Sequence, residues 1–343
     1  MRMGRSERES RTAGRVAALA ASAALLLTGC IRQELPQAEE TREDILVVGF
    51  SEVGAESDWR VANTESMRHT FTEEKGYELL FDDAKQKQGN QIKAIRNYIL
   101  QEVDYIVFAP VVEDGWDEVL KEAKEAKVPV IVVDRMVQVE DESLFAAWVG
   151  SDFHQEGKVA VEWLERYLEE KGRSEEADVS ILHVQGTIGS SAQIGRTEEL
   201  VAGVAAHPNW RILDQVPGEF TQAKSYEVVA EVLERGEVPD VIYCENDVSA
   251  LGALQALDEA GISHGVEGDV IVITFDAARA GLTACMDGQI NLEVECNPLH
   301  GPRVEAIIRQ LEAGETPEKY CYVEETYFEP GDLTEELIAA REY

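Results

Sequence analysis

The chain has 343 residues, 44% hydrophobic and 29% charged, which suits one large or two ordinary globular domains and excludes a disordered tail protein. Asp plus Glu number 67 against 31 Lys plus Arg, a formal net charge of −36. Such a surface favours solubility and speaks against nucleic acid as a partner, because phosphate binding wants a basic face.

Residues 1–29 depart from that balance, with Arg2, Arg5, Arg8, Arg11 and Arg15 against Glu7 and Glu9. An apolar run from Val16 to Leu27 follows, then Thr28-Gly29-Cys30. A basic start, a short apolar run and small residues at the cut predict a signal peptide over 1–29. The run is shorter than the roughly 20 apolar residues of a membrane helix. Gly-Cys directly behind it resembles a bacterial lipobox, which implies lipid on Cys30 as the new N-terminus. Residues 30–43 are polar, contain Pro36 and read as a tether.

From Asp44 the chain alternates strand and helix. Apolar runs predict strands at Ile45–Phe50, Tyr77–Phe81, Tyr105–Ala109, Val130–Val133 and Leu144–Val149. Helices are expected at Val61–Lys75, Gln88–Leu100 and Gly115–Ala126. After Gly150 the alternation restarts. Strands are expected at Val179–Val184, Trp210–Val216, Val241–Cys244, Val270–Phe275 and Ile290–Val294. Helices are expected at Gln155–Glu170, Ser191–Ala206, Ala223–Arg235, Val248–Ala260, Ala277–Met286 and Gly301–Glu312. Two such runs imply two doubly wound α/β domains with parallel sheets and a cleft between them. In such sheets ligands bind beyond the carboxyl ends of the strands.

Cys244, Cys285, Cys296 and Cys321 remain beside Cys30, an even number that permits a disulfide in an exported protein. The pairing is not readable. Cys244 reads as a buried thiol in an apolar strand. No Cys/His ligand spacing suggests a metal.

The strand ends carry a consistent chemistry. Behind the first strand stand Ser51, Glu56, Ser57, Trp59 and Arg60; behind the fourth, Asp134-Arg135. In the second run Arg196 closes QGTIGSSAQIGR, Asn246 follows Cys244, Asp276 follows Phe275, and Asn297 follows Val294 by a short step. Planar carboxylate, amide and guanidinium groups match vicinal hydroxyls bidentately, and an aromatic ring covers the C–H face of a sugar. Singly, each has a plainer role open to it. Asp134, Asn246 or Asp276 could cap a helix, Trp59 could be core, and the arginines could sit in structural ion pairs. Their coincidence at so many strand ends favours a site.

At these residues the chain resembles the type I periplasmic sugar-binding proteins of the ribose/galactose class, nearest the galactofuranose-binding branch. The resemblance covers nearly all of 44–343, through blocks such as GFSEVGAESDWR (49–60), FAPVVEDGWDEVLKEAK (108–124), VPVIVVDR (128–135), GEFTQAK (218–224) and NDVSALGALQALDEAGI (246–262). It implies two Rossmann-like lobes, 44–150 with 298–321 and 151–297 with 322–343, and chain crossings near Gly150, Asn297 and Cys321. It implies hinge closure on a monosaccharide, no cofactor, an ABC permease as partner and lipid attachment to a bacterial membrane from outside the cytoplasm. A monomer is expected. By motif, Ser51, Glu56, Ser57, Trp59, Arg60, Asp134 and Arg135 would form one wall, and Arg196, Asn246 and Asp276 the other. Asn297 would sit by a crossing, with His300 as its alternative. The family often has Asp-Gly where this chain has Asp276-Ala277, which leaves the backbone there open.

Enzymes lack their signatures here. There is no GxGxxG, GK[ST], GxSxG or HExxH. A transcription regulator of this fold would begin with a DNA-binding helix pair rather than a signal. A sensor feeding a chemoreceptor or kinase would show the same sugar site, as would a receptor for another polyol.

Overall fold

The computed structural model describes residues 45–173 and 177–343. The signal peptide, Cys30 and the tether lie outside them. Five apolar runs form β1 (Leu46–Glu52), β2 (Tyr77–Asp83), β3 (Tyr105–Phe108), β4 (Val130–Val133) and β5 (Ala147–Gly150). They alternate with α1 (Asp58–Thr70), α2 (Gln88–Leu100) and α3 (Asp117–Glu125). Every residue of β3, β4 and β5 is buried, as a strand covered on both faces requires.

The second run repeats the plan. Its strands are β6 (Val179–Gln185), β7 (Trp210–Pro217), β8 (Val241–Cys244), β9 (Ile271–Asp276) and β10 (Leu292–Glu295). Its helices are α4 (Phe153–Glu170), α5 (Ser191–Ala206), α6 (Gln222–Glu234), α7 (Asp247–Ala260) and α8 (Arg279–Met286). The chain ends with α9 (Gly301–Glu312), β11 (Tyr320–Tyr322), β12 (Tyr327–Phe328) and α10 (Glu335–Ala340).

The two sheets share one order, β2-β1-β3-β4-β5-β11 and β7-β6-β8-β9-β10-β12. All neighbours are parallel except β12, which runs antiparallel to β10. In each, the strand order reverses beside the first strand, the switch point where a crevice opens at the carboxyl ends. The chain passes to the second sheet after β5. It returns between β10 and α9, since Val304, Ile307 and Ile308 join the first sheet's core. It passes again between Tyr322 and Tyr327.

Caps explain where the boundaries differ from the expected ones. The helix expected over Val61–Lys75 starts at Asp58, because Ser57 Oγ accepts from Arg60 N at 3.2 Å. It stops at Thr70, and residues 73–75 form a separate 3₁₀ turn. The helix expected at Ala277 begins at Arg279, because Asp276 and Ala277 hold positive φ. The α7 helix closes on Gly261 at φ 70°. Short β11, β12 and α10 carry no long apolar run, so periodicity does not mark them.

Cys244, Cys285, Cys296 and Cys321 are all free, so the disulfide that the even count permits is not formed. Among the described residues no helix is long and apolar enough to cross a membrane.

Candidate ligand-binding site

A narrow chamber, partly open to solvent and with a cavity volume of about 30 Å³, lies where the strand ends of both sheets meet. That is far below the roughly 300–1,000 Å³ usual for ligand sites, because the two walls stand almost in contact. One wall is Glu56, Ser57, Trp59, Arg60, Asp134 and Arg135. The other is Phe153, Ala192, Arg196, Phe220, Asn246 and Asp276, with Cys296 completing the lining.

Asp134 ends β4 with φ 59°, a left-handed conformation that a residue with a Cβ adopts at a cost of about 1–2 kcal/mol. The surroundings enforce it. Its N–H donates to Val149 O at 2.9 Å, and Trp148 Nε1 donates to its carbonyl at 3.0 Å. Gly150 allows this closeness, since a Cβ there would stand 2.5 Å from Asp134 O. The carboxylate is thereby aimed at the chamber. Its Oδ2 lies 2.7 Å from Arg60 Nη2 but has no aligned hydrogen-bond donor, so it can still accept from a hydroxyl.

This wall balances its own charge. Arg60 also lies 3.1 Å from Glu52 and 3.2 Å from Glu56, and Arg135 lies 3.8 Å from Glu56. Three buried carboxyls thus face two guanidiniums. Burial pushes Glu52 up to about 8 against the pull of Arg60, so it keeps its proton at neutral pH. Burial also opposes charge on Asp134, but Arg60 and Arg135 outweigh it and hold that carboxyl below its usual range. A balanced wall suits a neutral polar ligand better than an acid or an amine.

On the other wall Arg196 leaves α5 with Nε donating to Glu156 Oε2 at 2.7 Å and Nη1 donating to Glu245 O. Its guanidinium lies 4.6 Å over Phe275. Asn246 does cap a helix, its Oδ1 accepting from Ser249 N at 3.1 Å, and it lines the chamber as well. Asp276 sits at φ 105° and Ala277 at φ 58°. The turn is held by Asp247, whose Oδ2 accepts from Ala278 N at 2.7 Å, and by Arg341 Nη2 donating to Ala277 O. Ala277 therefore keeps the backbone that a glycine would take more easily, and its methyl is buried in the core. Burial, reinforced by Asp247, raises the Asp276 carboxyl.

The walls touch. Arg135 lies 5.2 Å over Phe220, Met136 N donates to Ser191 Oγ at 2.8 Å, and Glu113 N donates to Gly189 O at 3.0 Å. Phe220 reaches this position because Gly186 leaves room; a Cβ there would overlap its ring. Trp59 Nε1 donates to Cys296 O. Trp59, Phe153, Ala192, Phe220 and Cys296 form one apolar cluster bridging the walls. This is a closed arrangement.

Of the expected residues, Glu56, Ser57, Trp59, Arg60, Asp134, Arg135, Arg196, Asn246 and Asp276 line the chamber. Ser51 does not; it is fully buried beside it, with Oγ unpartnered. Asn297 turns its Oδ1 to Leu299 N at 2.9 Å and also stays outside the lining. His300 is buried against Asn63 at 3.0 Å, and burial pushes its imidazole down to about 4. Phe153, Ala192, Phe220 and Cys296 line the chamber without having been expected there. Ala192 lies one turn before Arg196 on the same helix face, which was a usable signal. Phe153, the first residue of α4, and Phe220, in the loop behind β7, carried none, since isolated apolar residues read as core. The Cys296 thiol is raised by burial and is a poor nucleophile.

Residues 48–294 match the family described as periplasmic binding protein domain. The galactofuranose-binding protein YtfQ of Escherichia coli is 37% identical over 85% of this chain and 90% of its own length. A Mycobacterium smegmatis structure in complex with β-D-fucofuranose is 37% identical, with TM-score 0.79 over 84% of this chain and 92% of that one. The arabinose transporter component of Shewanella sp. ANA-3, bound to L-arabinofuranose, is 39% identical, with TM-score 0.76 over 86% and 93%.

Proposed function

The chain belongs to the periplasmic binding protein family, and from that premise we propose that it is the receptor of an ABC sugar importer and takes its monosaccharide in a furanose form. The observation that carries this is the chamber's charge-balanced wall, where Asp134 keeps an acceptor for a hydroxyl between Arg60 and Arg135. Arg196, Asn246 and Asp276 supply polar groups from the facing wall, and Trp59, Phe153 and Phe220 cover the C–H faces. The furanose form is supported by the relatives, whose names give galactofuranose, fucofuranose and arabinofuranose.

The lobes, 44–150 with 298–321 and 151–297 with 322–343, close around the sugar because contacts to both walls exist only when closed. The sugar leaves unchanged, so the protein is a carrier and not an enzyme. The permease reads the closed form. Relatives named as import binding proteins favour import over sensing. Lipid on Cys30 holds a monomeric receptor at the membrane outside the cytoplasm, and firm anchoring takes more than one acyl chain.

A thermal-shift series with L-arabinose, D-galactose, D-fucose, D-ribose, D-fructose and myo-inositol tests the reading. A ligand that binds only the folded state raises its stability with the logarithm of concentration over Kd. A large shift is expected with a sugar that populates a furanose ring. A shift with myo-inositol alone would remove the furanose assignment, and turnover of a furanoside would remove the receptor.

A further inference from the structure

Glu325 lies on the passage between β11 and β12, and one of its atoms meets both other passages. Its Oε1 accepts from Ser151 Oγ at 2.6 Å, just past β5, and from Asn297 N at 2.6 Å, just past β10. Ser151 Oγ also lies 3.3 Å from Cys296 Sγ. All three connections between the lobes are therefore joined at one carboxyl oxygen. We propose that Glu325 is the positioning residue of the hinge, and that it takes up a proton when the lobes close.

The charges around it explain the proton. Glu156 of α4, Cys296 and Glu325 bring donor atoms within 4.8 Å of one another. Glu295 of β10 and Asp152 border the same opening, together with Tyr327. The cations nearby are committed elsewhere. Arg196 pairs with Glu156 at 2.7 Å, and Arg341 pairs with Glu295 at 2.9 Å, where Tyr343 OH also donates. A metal ion would have to displace Arg196 from Glu156, so a proton is the simpler means of neutralising the cluster. Burial, with Glu156 adding to it, pushes Glu325 up to about 9. The protonated acid keeps Oε1 as acceptor for both Ser151 and Asn297, with the hydrogen on the other oxygen.

Glu325 is half-buried here and already borders an opening. Opening the hinge draws Glu156 and Ser151 away from it and widens that access, so the carboxyl returns towards the ordinary range near about 4.3. Between that range and about 9 the closed form holds a proton that the open form lacks. Closure is therefore favoured at the acid side, and affinity falls as pH rises through the window, by up to about tenfold per pH unit. Above about 9 both forms are ionised and the dependence ends.

This link to affinity rests on the sugar-receptor reading, and the test separates the two. Glu325→Gln keeps the acceptor and cannot titrate, whereas Glu325→Ala removes the tie. Calorimetry with L-arabinose and D-galactose, in buffers of different ionisation enthalpy from about pH 6 to about pH 9, counts protons taken up. Wild type is expected to take up close to one proton more per sugar than E325Q, and to lose affinity more steeply as pH rises. E325A is expected to bind more weakly than E325Q at every pH. Equal proton counts and equal slopes in wild type and E325Q would overturn the proposal. Small-angle scattering without sugar covers the case in which neither sugar binds. Expansion of wild type but not E325Q between the same two pH values upholds the hinge role, and it is the absence of binding that then counts against the sugar reading. Matching profiles overturn the hinge role.

Discussion

Arg60 stands 2.7 Å from Asp134, and both side chains are almost wholly buried. The pair joins the first turn of α1, which follows β1, to the residue behind β4, so two strand ends are aligned before any ligand arrives. The guanidinium is shared with Glu52 and Glu56, and this sharing leaves Asp134 ionised with accepting capacity to spare.

Asp134→Asn removes the carboxylate without emptying its space. Arg60 and Arg135 then face Glu56 and Glu52, and Glu52 loses its proton to restore the balance. Sugar affinity is expected to fall at least about 100-fold, near 3 kcal/mol, as for a lost hydrogen bond to a buried charge. Thermal stability should change much less. Calorimetric titration beside thermal unfolding reads both, and an unchanged Kd would remove Asp134 from the site.

Phe220→Ala deletes a contact that spans the walls, where Arg135 lies 5.2 Å over the ring. The open form gains nothing from this contact, so the loss falls on the closed complex. The dissociation rate is expected to rise at least about tenfold, with a small change in association rate. Stopped-flow Trp fluorescence measures the two rates. An effect confined to association would place Phe220 outside the closing contact.

Glu52→Gln tests the raised carboxyl. Its value lies near 8 in the folded protein against the ordinary carboxyl range when unfolded. The folded state thus binds the extra proton, and the group's contribution to stability falls as pH rises from the ordinary range to about 8. Gln keeps the acceptor for Val53 N, which lies at 2.8 Å. The variant should match wild type near pH 4, gain on it progressively as pH rises, and exceed it most above about pH 8. Thermal unfolding across that range decides, and parallel curves would show that Glu52 is ionised throughout.

Arg196→Lys keeps the charge and loses the fork that reaches Glu156 and Glu245 O, together with the stacking on Phe275. Leaving Glu156 underpaired in the interior should cost about 3–5 kcal/mol of stability. Denaturant unfolding at neutral pH gives the value, and a loss below about 1 kcal/mol would mean that lysine reaches the same partners.

Local physics made much of this protein readable from its sequence. A strand buried on both faces must be a short apolar run, so Tyr105–Phe108, Val130–Val133 and Val241–Cys244 declare themselves, and their alternation with helices declares two parallel sheets. Polar residues directly behind such strands have few other places to go, which is why Asp134, Asn246 and Asp276 could be named. The three-dimensional arrangement decided what depends on distance across the chain. Phe220 looks like any loop aromatic until Gly186 lets it reach across to Arg135. Asn297 looks like a ligand contact until its side chain turns to Leu299 and its N–H to Glu325. Residues separated by well over a hundred positions meet at Glu325 Oε1, and no periodicity or local motif encodes that meeting, because it exists only once both sheets have formed and the chain has crossed between them.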